Sequence, residues 1–122
     1  MIRVAICDDD IVFTTRVEEL ILDFGRAYSF EICIYFDGYT LLESMRQGNC
    51  FDIIFMDPPY NHEFENRVLE YLSSSPMVTE DTLIIIEASK ETDFDWLSDA
   101  GFHMIKEKVY KTNKHIFAGK GA

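Results

Sequence analysis

Positive charge is scarce in this 122-residue chain: eleven lysines and arginines face 22 aspartates and glutamates, for a formal net charge of −11. A chain so acidic is repelled by phosphate backbones and anionic membranes, which excludes nucleic-acid binding steered by overall charge. No apolar run approaches the ~20 residues needed to span a bilayer, and no basic-then-apolar leader opens the sequence; the expectation is a cytoplasmic chain with no membrane partner. Cysteine is limited to Cys7, Cys33 and Cys50, an odd number without metal-ligand spacing, which excludes a disulfide framework and reads as reduced packing residues. Lysine is missing from residues 1–57, where Arg3, Arg16, Arg26 and Arg46 are the only basic residues, whereas Lys106, Lys108, Lys111, Lys114 and Lys120 crowd the last seventeen. There is no internal repeat, low-complexity segment or linker to divide the chain, so a single domain over residues 1–122 is expected.

Apolar side chains are plentiful, at 48% with 14% aromatic, enough for one packed core. Their spacing alternates between strand and helix. Ile2–Cys7 is a continuous apolar, β-branched run suited to a buried parallel strand, and Asp8-Asp9-Asp10 then offers a helix cap before Phe13, Val17, Leu20, Ile21 and Phe24 recur at helical spacing. Phe30–Phe36 reads as a second strand, Leu41, Leu42 and Met45 as the inward face of a short helix stopped at Gly48, and Phe51–Met56 as a third strand halted by Pro58-Pro59. A helix through Phe64, Val68, Leu69 and Leu72, a strand at Leu83–Ala88 and a short helix around Phe94–Leu97 follow. Phe102–Tyr110 and His115–Ala118 are joined by only Lys111-Thr112-Asn113-Lys114, a connection short enough to force an antiparallel pair. The pattern predicts a three-layer αβα sandwich with a mostly parallel sheet in the order 2-1-3-4-6-5, its last strand antiparallel, a hybrid of flavodoxin-like and Rossmann-like methyltransferase layouts.

Ligands of such sheets bind beyond the carboxyl ends of the central strands. Two constellations fall there. Asp8, Asp9 and Asp57 converge if the first and third strands are neighbours; carboxylates so close need a compensating cation, and Mg²⁺ with retained waters is the natural one, leaving one carboxylate able to accept a phosphoryl group. The plainer reading makes Asp8–Asp10 a helix cap and Asp57 a strand end. The second constellation is Asp57-Pro58-Pro59-Tyr60, an acid, a fixed extended turn and a ring. The Asp57 carboxylate and a prolyl carbonyl can accept hydrogen bonds from an exocyclic amine while Tyr60 stacks on its base. Its plainer reading is a strand terminator with a surface tyrosine.

Residues 1–57, through MIRVAICDDD, the FDG after the second strand and FDIIFMD, resemble a response-regulator receiver domain of the LytTR-type regulators. That resemblance implies Asp8 and Asp9 as the Mg²⁺-binding pair, Asp57 as phosphoacceptor, and a small phosphodonor or histidine kinase as partner. The receiver's switch Thr or Ser is replaced by Glu87, with Ser89 two positions on, and its Lys-Pro pair is missing, with Lys106 a loose substitute. From about residue 52 to 122, DPPYNHEFENRVLEYLSSSPMVTEDTLIIIEAS and GFHMIKEKVYKTNKHIFAG resemble the small-subunit ribosomal RNA guanine-N2 methyltransferases. That second resemblance implies Asp57, Pro58, Pro59 and Tyr60 as the catalytic amine clamp, and RNA as a partner for the lysine cluster, whose plainer reading is a charged edge hairpin. The turn after the first strand has no glycine, so S-adenosylmethionine binding is not expected; Asp37 stands where a ribose-binding acid would be, yet the receiver pattern predicts it equally.

The two resemblances meet at FDIIFMD. The expectation is therefore an engineered chimera, with residues 1–57 receiver-like and 58–122 methyltransferase-like, lacking intact catalysis and keeping at most an acidic Mg²⁺ site and a phosphorylatable Asp57. Poor packing across the junction would expose surface and favour dimerisation. The alternatives are an S-adenosylmethionine-dependent rRNA guanine-N2 methyltransferase, or a fragment of one, using Asp57-Pro58-Pro59-Tyr60, and a phosphorelay receiver.

Overall fold

The computed structural model describes residues 1–8, 10–24, 29–56 and 69–121. They form β1 (Ile2–Cys7), α1 (Ile11–Phe24), β2 (Phe30–Tyr35), α2 (Gly38–Arg46), β3 (Ile53–Met56), β4 (Leu83–Ser89), a 3-10 turn at Asp95–Leu97, β5 (Phe102–Val109) and β6 (Asn113–Lys120). Residues 69–74 are also helical. One six-stranded sheet runs β2-β1-β3-β4-β6-β5. Its β2–β1, β1–β3 and β3–β4 pairs are parallel, and β4–β6 and β6–β5 antiparallel, as the strand pattern predicts.

Burial explains the strand patterns. Val4, Ala5 and Ile6 are all buried, because β1 lies between two strands and is covered on both faces; hence its unbroken apolar run. β4 alternates instead: Ile84, Ile86 and Ala88 enter the main core while Leu83, Ile85 and Glu87 are half-buried on the other face. The main core joins Ala5, Ile54, Ile84, Ile86 and Ile116 of the sheet to Leu41 and Met45 of α2, to Leu69 and Leu72, and to Phe94, Leu97 and Phe102. On the opposite face Val17 and Ile21 of α1 stand over Val4, Ile53, Phe55 and Ile85 around an apolar recess of about 440 Å³.

Caps and turns set the element ends. The Asp37 carboxylate accepts from Thr40 N (2.7 Å) and Thr40 Oγ1 (2.8 Å) and starts α2. Gly48, with φ +100, takes the left-handed turn that ends it. β3 begins at Ile53, two residues later than the apolar run suggests. The Asp52 carboxylate accepts from Arg3 N (2.8 Å), and Phe51 turns its ring onto Tyr35 (6.0 Å) beneath the Arg3 guanidinium (5.0 Å). β6 begins at Asn113, so the hairpin turn is tighter than expected, closed by Tyr110 N donating to Asn113 O (2.8 Å).

β5 is exposed along its length except at its first residue, Phe102. Its pairing with β6 slips between Met104 and Lys106, a bulge at Ile105. Gly119 makes room for it: a Cβ there would stand 3.1 Å from His103 Cε1 and 3.3 Å from Ile105 Cδ1. Of the three thiols, Cys7 is buried and Cys33 half-buried, but Cys50 is exposed, so it is not the packing residue expected.

Candidate active site

Three parallel strands deliver their carboxyl ends side by side. Cys7 pairs with Met56, and Met56 with Ile86, so Asp8, one position beyond β1, and Glu87, near the end of β4, stand at one edge of the sheet on either side of β3. Asp57, Pro58, Pro59 and Tyr60, the expected amine clamp, and Asp9 of the expected Mg²⁺ set, lie outside the described residues. Asp8 is buried; its backbone N donates to Tyr35 O (3.0 Å), and its Oδ1 accepts from Asp10 N (3.0 Å), which shapes the turn into α1. Among the described residues no three His, Cys, Asp or Glu side chains group as metal ligands.

Glu87 is the second acid of this edge, with its side chain only 14% exposed. Burial raises its pKa above the usual carboxyl value, and the nearby charge of Asp8 raises it further. Its Oε1 accepts a short hydrogen bond from Asn113 Nδ2 and lies 4.0 Å from His115 Nε2. The β4–β6 register explains the meeting, since Glu87 is directly opposite His115 and Asn113 is two residues away on the same face. Burial, then the charge of Lys108, pushes the His115 pKa below its usual value. The His115 ring meets Phe55 edge-on (5.7 Å, 88°) and Tyr110 (4.8 Å, 63°). Asp37, by contrast, is occupied as the cap of α2; its backbone and hydroxyl bonds from Thr40 hold its carboxyl below the usual range.

The Glu87–Asn113–His115 cluster is a functional candidate that sequence reasoning did not assemble. Its signal was present: one acid in the apolar run LIIIEAS, and two polar residues two apart in NKHIF. The lysine cluster splits. Lys114 is buried on the α2 face, over the Phe94 ring (5.6 Å) and 3.4 Å from Glu107, and Lys120 Nζ donates to Ser75 O (3.2 Å) and Val78 O (3.0 Å). Lys106, Lys108 and Lys111 remain exposed. Lys106, the loose receiver-lysine candidate, sits on the edge strand with β4 and β6 between it and β3.

A mixed six-stranded sheet with this order and an antiparallel β6–β5 pair is the layout of a methyltransferase-like fold. The chain belongs to the family described as conserved hypothetical protein 95, whose model matches residues 5–119. It is similar to an uncharacterized methylase of Rickettsia prowazekii, 36% identical over 64 residues, a stretch that is 52% of this chain and 26% of that protein; the chain matches only about a quarter of that curated relative's length. In fold it is similar to a conserved hypothetical protein of Streptococcus pyogenes (TM-score 0.66, 16% identity, 97% of this chain and 85% of that one). A putative methyltransferase of Escherichia coli is also similar (TM-score 0.57, 16% identity, 97% and 62%).

These matches overturn the chimera. The family match runs unbroken through residue 57, and the fold neighbours cover both sides of it, so no receiver half is joined to a methyltransferase half. The engineered, non-catalytic scaffold and the phosphorelay receiver fall with it. The physical reason for the misreading is that any doubly wound parallel sheet places polar residues just beyond its strand ends. An acid after the first and third strands therefore marks the ligand edge before it marks a particular chemistry.

No helix among the described residues is long and apolar enough to cross a membrane.

Proposed function

We propose that this chain is an S-adenosylmethionine-dependent methyltransferase acting on an exocyclic amine of a nucleic-acid base, with guanine N2 of ribosomal RNA as the substrate class. The observation that carries this reading is the register Cys7–Met56–Ile86, which brings Asp8 and Glu87 to one edge of the sheet, in a chain whose sequence continues from β3 into Asp57-Pro58-Pro59-Tyr60 and whose family match covers residues 5–119. When bound, the donor supplies a methyl group on a cationic sulfur.

The residues present suit such a group in charge. Asp8 and Glu87 are close enough for one to raise the pKa of the other, an arrangement that a cationic ligand relieves. The sequence has no glycine after β1, so in this reading the donor is held through side chains rather than by a close backbone approach. In this reading Asp57 and a prolyl carbonyl accept from the amine, and Tyr60 stacks on the base. Glu87, which holds a proton more readily than an ordinary carboxyl, accepts the proton the amine releases.

Calorimetry with S-adenosylmethionine and transfer of a labelled methyl group to ribosomal RNA test this. Donor binding with transfer abolished by Asp57→Ala is the expected result. No binding heat at millimolar donor overturns the reading.

A further inference from the structure

The bulge in β5 decides what one face of the sheet presents. Phe102, fully buried, pins the start of β5 opposite Lys120 with His103 opposite Gly119; the Tyr110–Asn113 turn pins its end with Val109 opposite Lys114. These anchors are out of phase by one residue, and the bulge at Ile105 absorbs the difference. Without it, Ile105, Glu107 and Val109 would share the α1 face with His103. With it, Lys106 lies opposite Phe117 and Lys108 opposite His115, while Glu107 turns to the far face and meets Lys114.

The result is a strip of cations and rings. Lys106 Nζ stands 5.9 Å from the Phe117 ring, Lys108 Nζ 5.3 Å from the Tyr110 ring, and Tyr110 contacts His115, whose ring contacts Phe55 beside the candidate active site. Lys111 sits in the adjoining turn. In a protein of net charge −11 this is a local reversal of sign, and an anionic, ring-bearing partner complements it. Lysines tracking a backbone beside aromatic faces that stack bases are what sequence-tolerant single-strand binding requires.

We infer that the bulge-aligned strip of Lys106, Lys108, Tyr110, His115 and Phe117 is a docking surface for single-stranded RNA, which it leads toward the carboxyl ends of β3 and β4. The inference rests on the methyl-transfer reading only for the role of the bound strand, not for binding itself.

Fluorescence anisotropy with a labelled, unstructured RNA oligonucleotide tests it. Replacing Lys106→Glu together with Lys108→Glu should weaken binding at least tenfold and flatten the salt dependence by roughly 0.7 per lysine. Tyr110→Ala should cost about fivefold or more through lost stacking. Arg46→Glu, on the α2 layer, should leave binding unchanged, and thermal melting shows whether each variant is folded. Undiminished binding by the lysine or tyrosine variants overturns the inference, as does duplex RNA binding as tightly as the single strand. So does failure of the unaltered chain to bind RNA, or a dimer broken by the same substitutions in its place. RNA binding without donor binding would retain this surface and remove the methyl-transfer reading; donor binding without RNA binding would do the reverse.

Discussion

Replacing Lys120 with methionine tests whether the end of β6 holds the segment that leads into β4. Its ammonium donates to the carbonyls of Ser75 (3.2 Å) and Val78 (3.0 Å), so Lys120→Met keeps the stem and removes only the donor. Each hydrogen bond from a charged group is worth about 1.5–3 kcal/mol when fully sheltered. Lys120 is half-buried, so water can reach the vacated carbonyls and the two bonds together should be worth about what one sheltered bond is, roughly 1.5–3 kcal/mol. Against a typical ~5–15 kcal/mol for a domain, this lowers the melting temperature by roughly 5–15 °C. Urea denaturation followed by circular dichroism should show a lower midpoint at an unchanged slope for Lys120→Met, with Lys120→Arg, which keeps a charged donor, retaining most of the parent's stability. A change under about 0.5 kcal/mol, the range of ordinary surface substitutions, would refute the tether.

Ile54→Ala, in the fully buried centre of the sheet, should cost about 2–5 kcal/mol by the same denaturation assay. A loss below about 1 kcal/mol would show that the core around β3 is not close-packed. The raised pKa of Glu87 means the folded state holds its proton more tightly than the unfolded chain, so its ionisation costs stability as pH rises from about 4.5. The stability of Glu87→Gln relative to the parent should therefore grow between pH 4 and pH 7; a constant or shrinking difference contradicts the assignment. His115 has the opposite sign: its lowered pKa makes the folded state resist protonation, so the parent loses stability as pH falls below about 6.5 and His115→Gln loses less. Equal pH profiles for that pair would remove burial as the cause.

Most of the fold was legible because local signals and global topology agreed. The unbroken apolar run of β1, the alternation in LIIIEAS and the short connection before Asn113 each carry a physical instruction that the sheet obeys. What could not be read depended on register. Glu87, Asn113 and His115 lie 26 and 28 positions apart in the chain and meet only because β6 pairs antiparallel with β4. The bulge was equally hidden, since FHMIKEKV contains no glycine and shows only a faint break in alternation. The family was misassigned for the first half because an acid at a strand end is shared by many parallel sheets, whereas Asp57-Pro58-Pro59-Tyr60 with the KTNKHIF hairpin pointed to the methylase relatives.

The order β4-β6-β5 also has a consequence for how the chain can be made. β5 is synthesised before β6, yet in the sheet β6 is its strand neighbour and separates it from β4. During translation, β1 to β4 can pair as they emerge, while β5 waits without a strand to bond until the one after it appears. The final hairpin therefore joins the sheet as a unit, through β6, in a late step of high sequence separation. A chain interrupted before Asn113 would forfeit β5 along with β6, and the rows of lysine and aromatic side chains would never form.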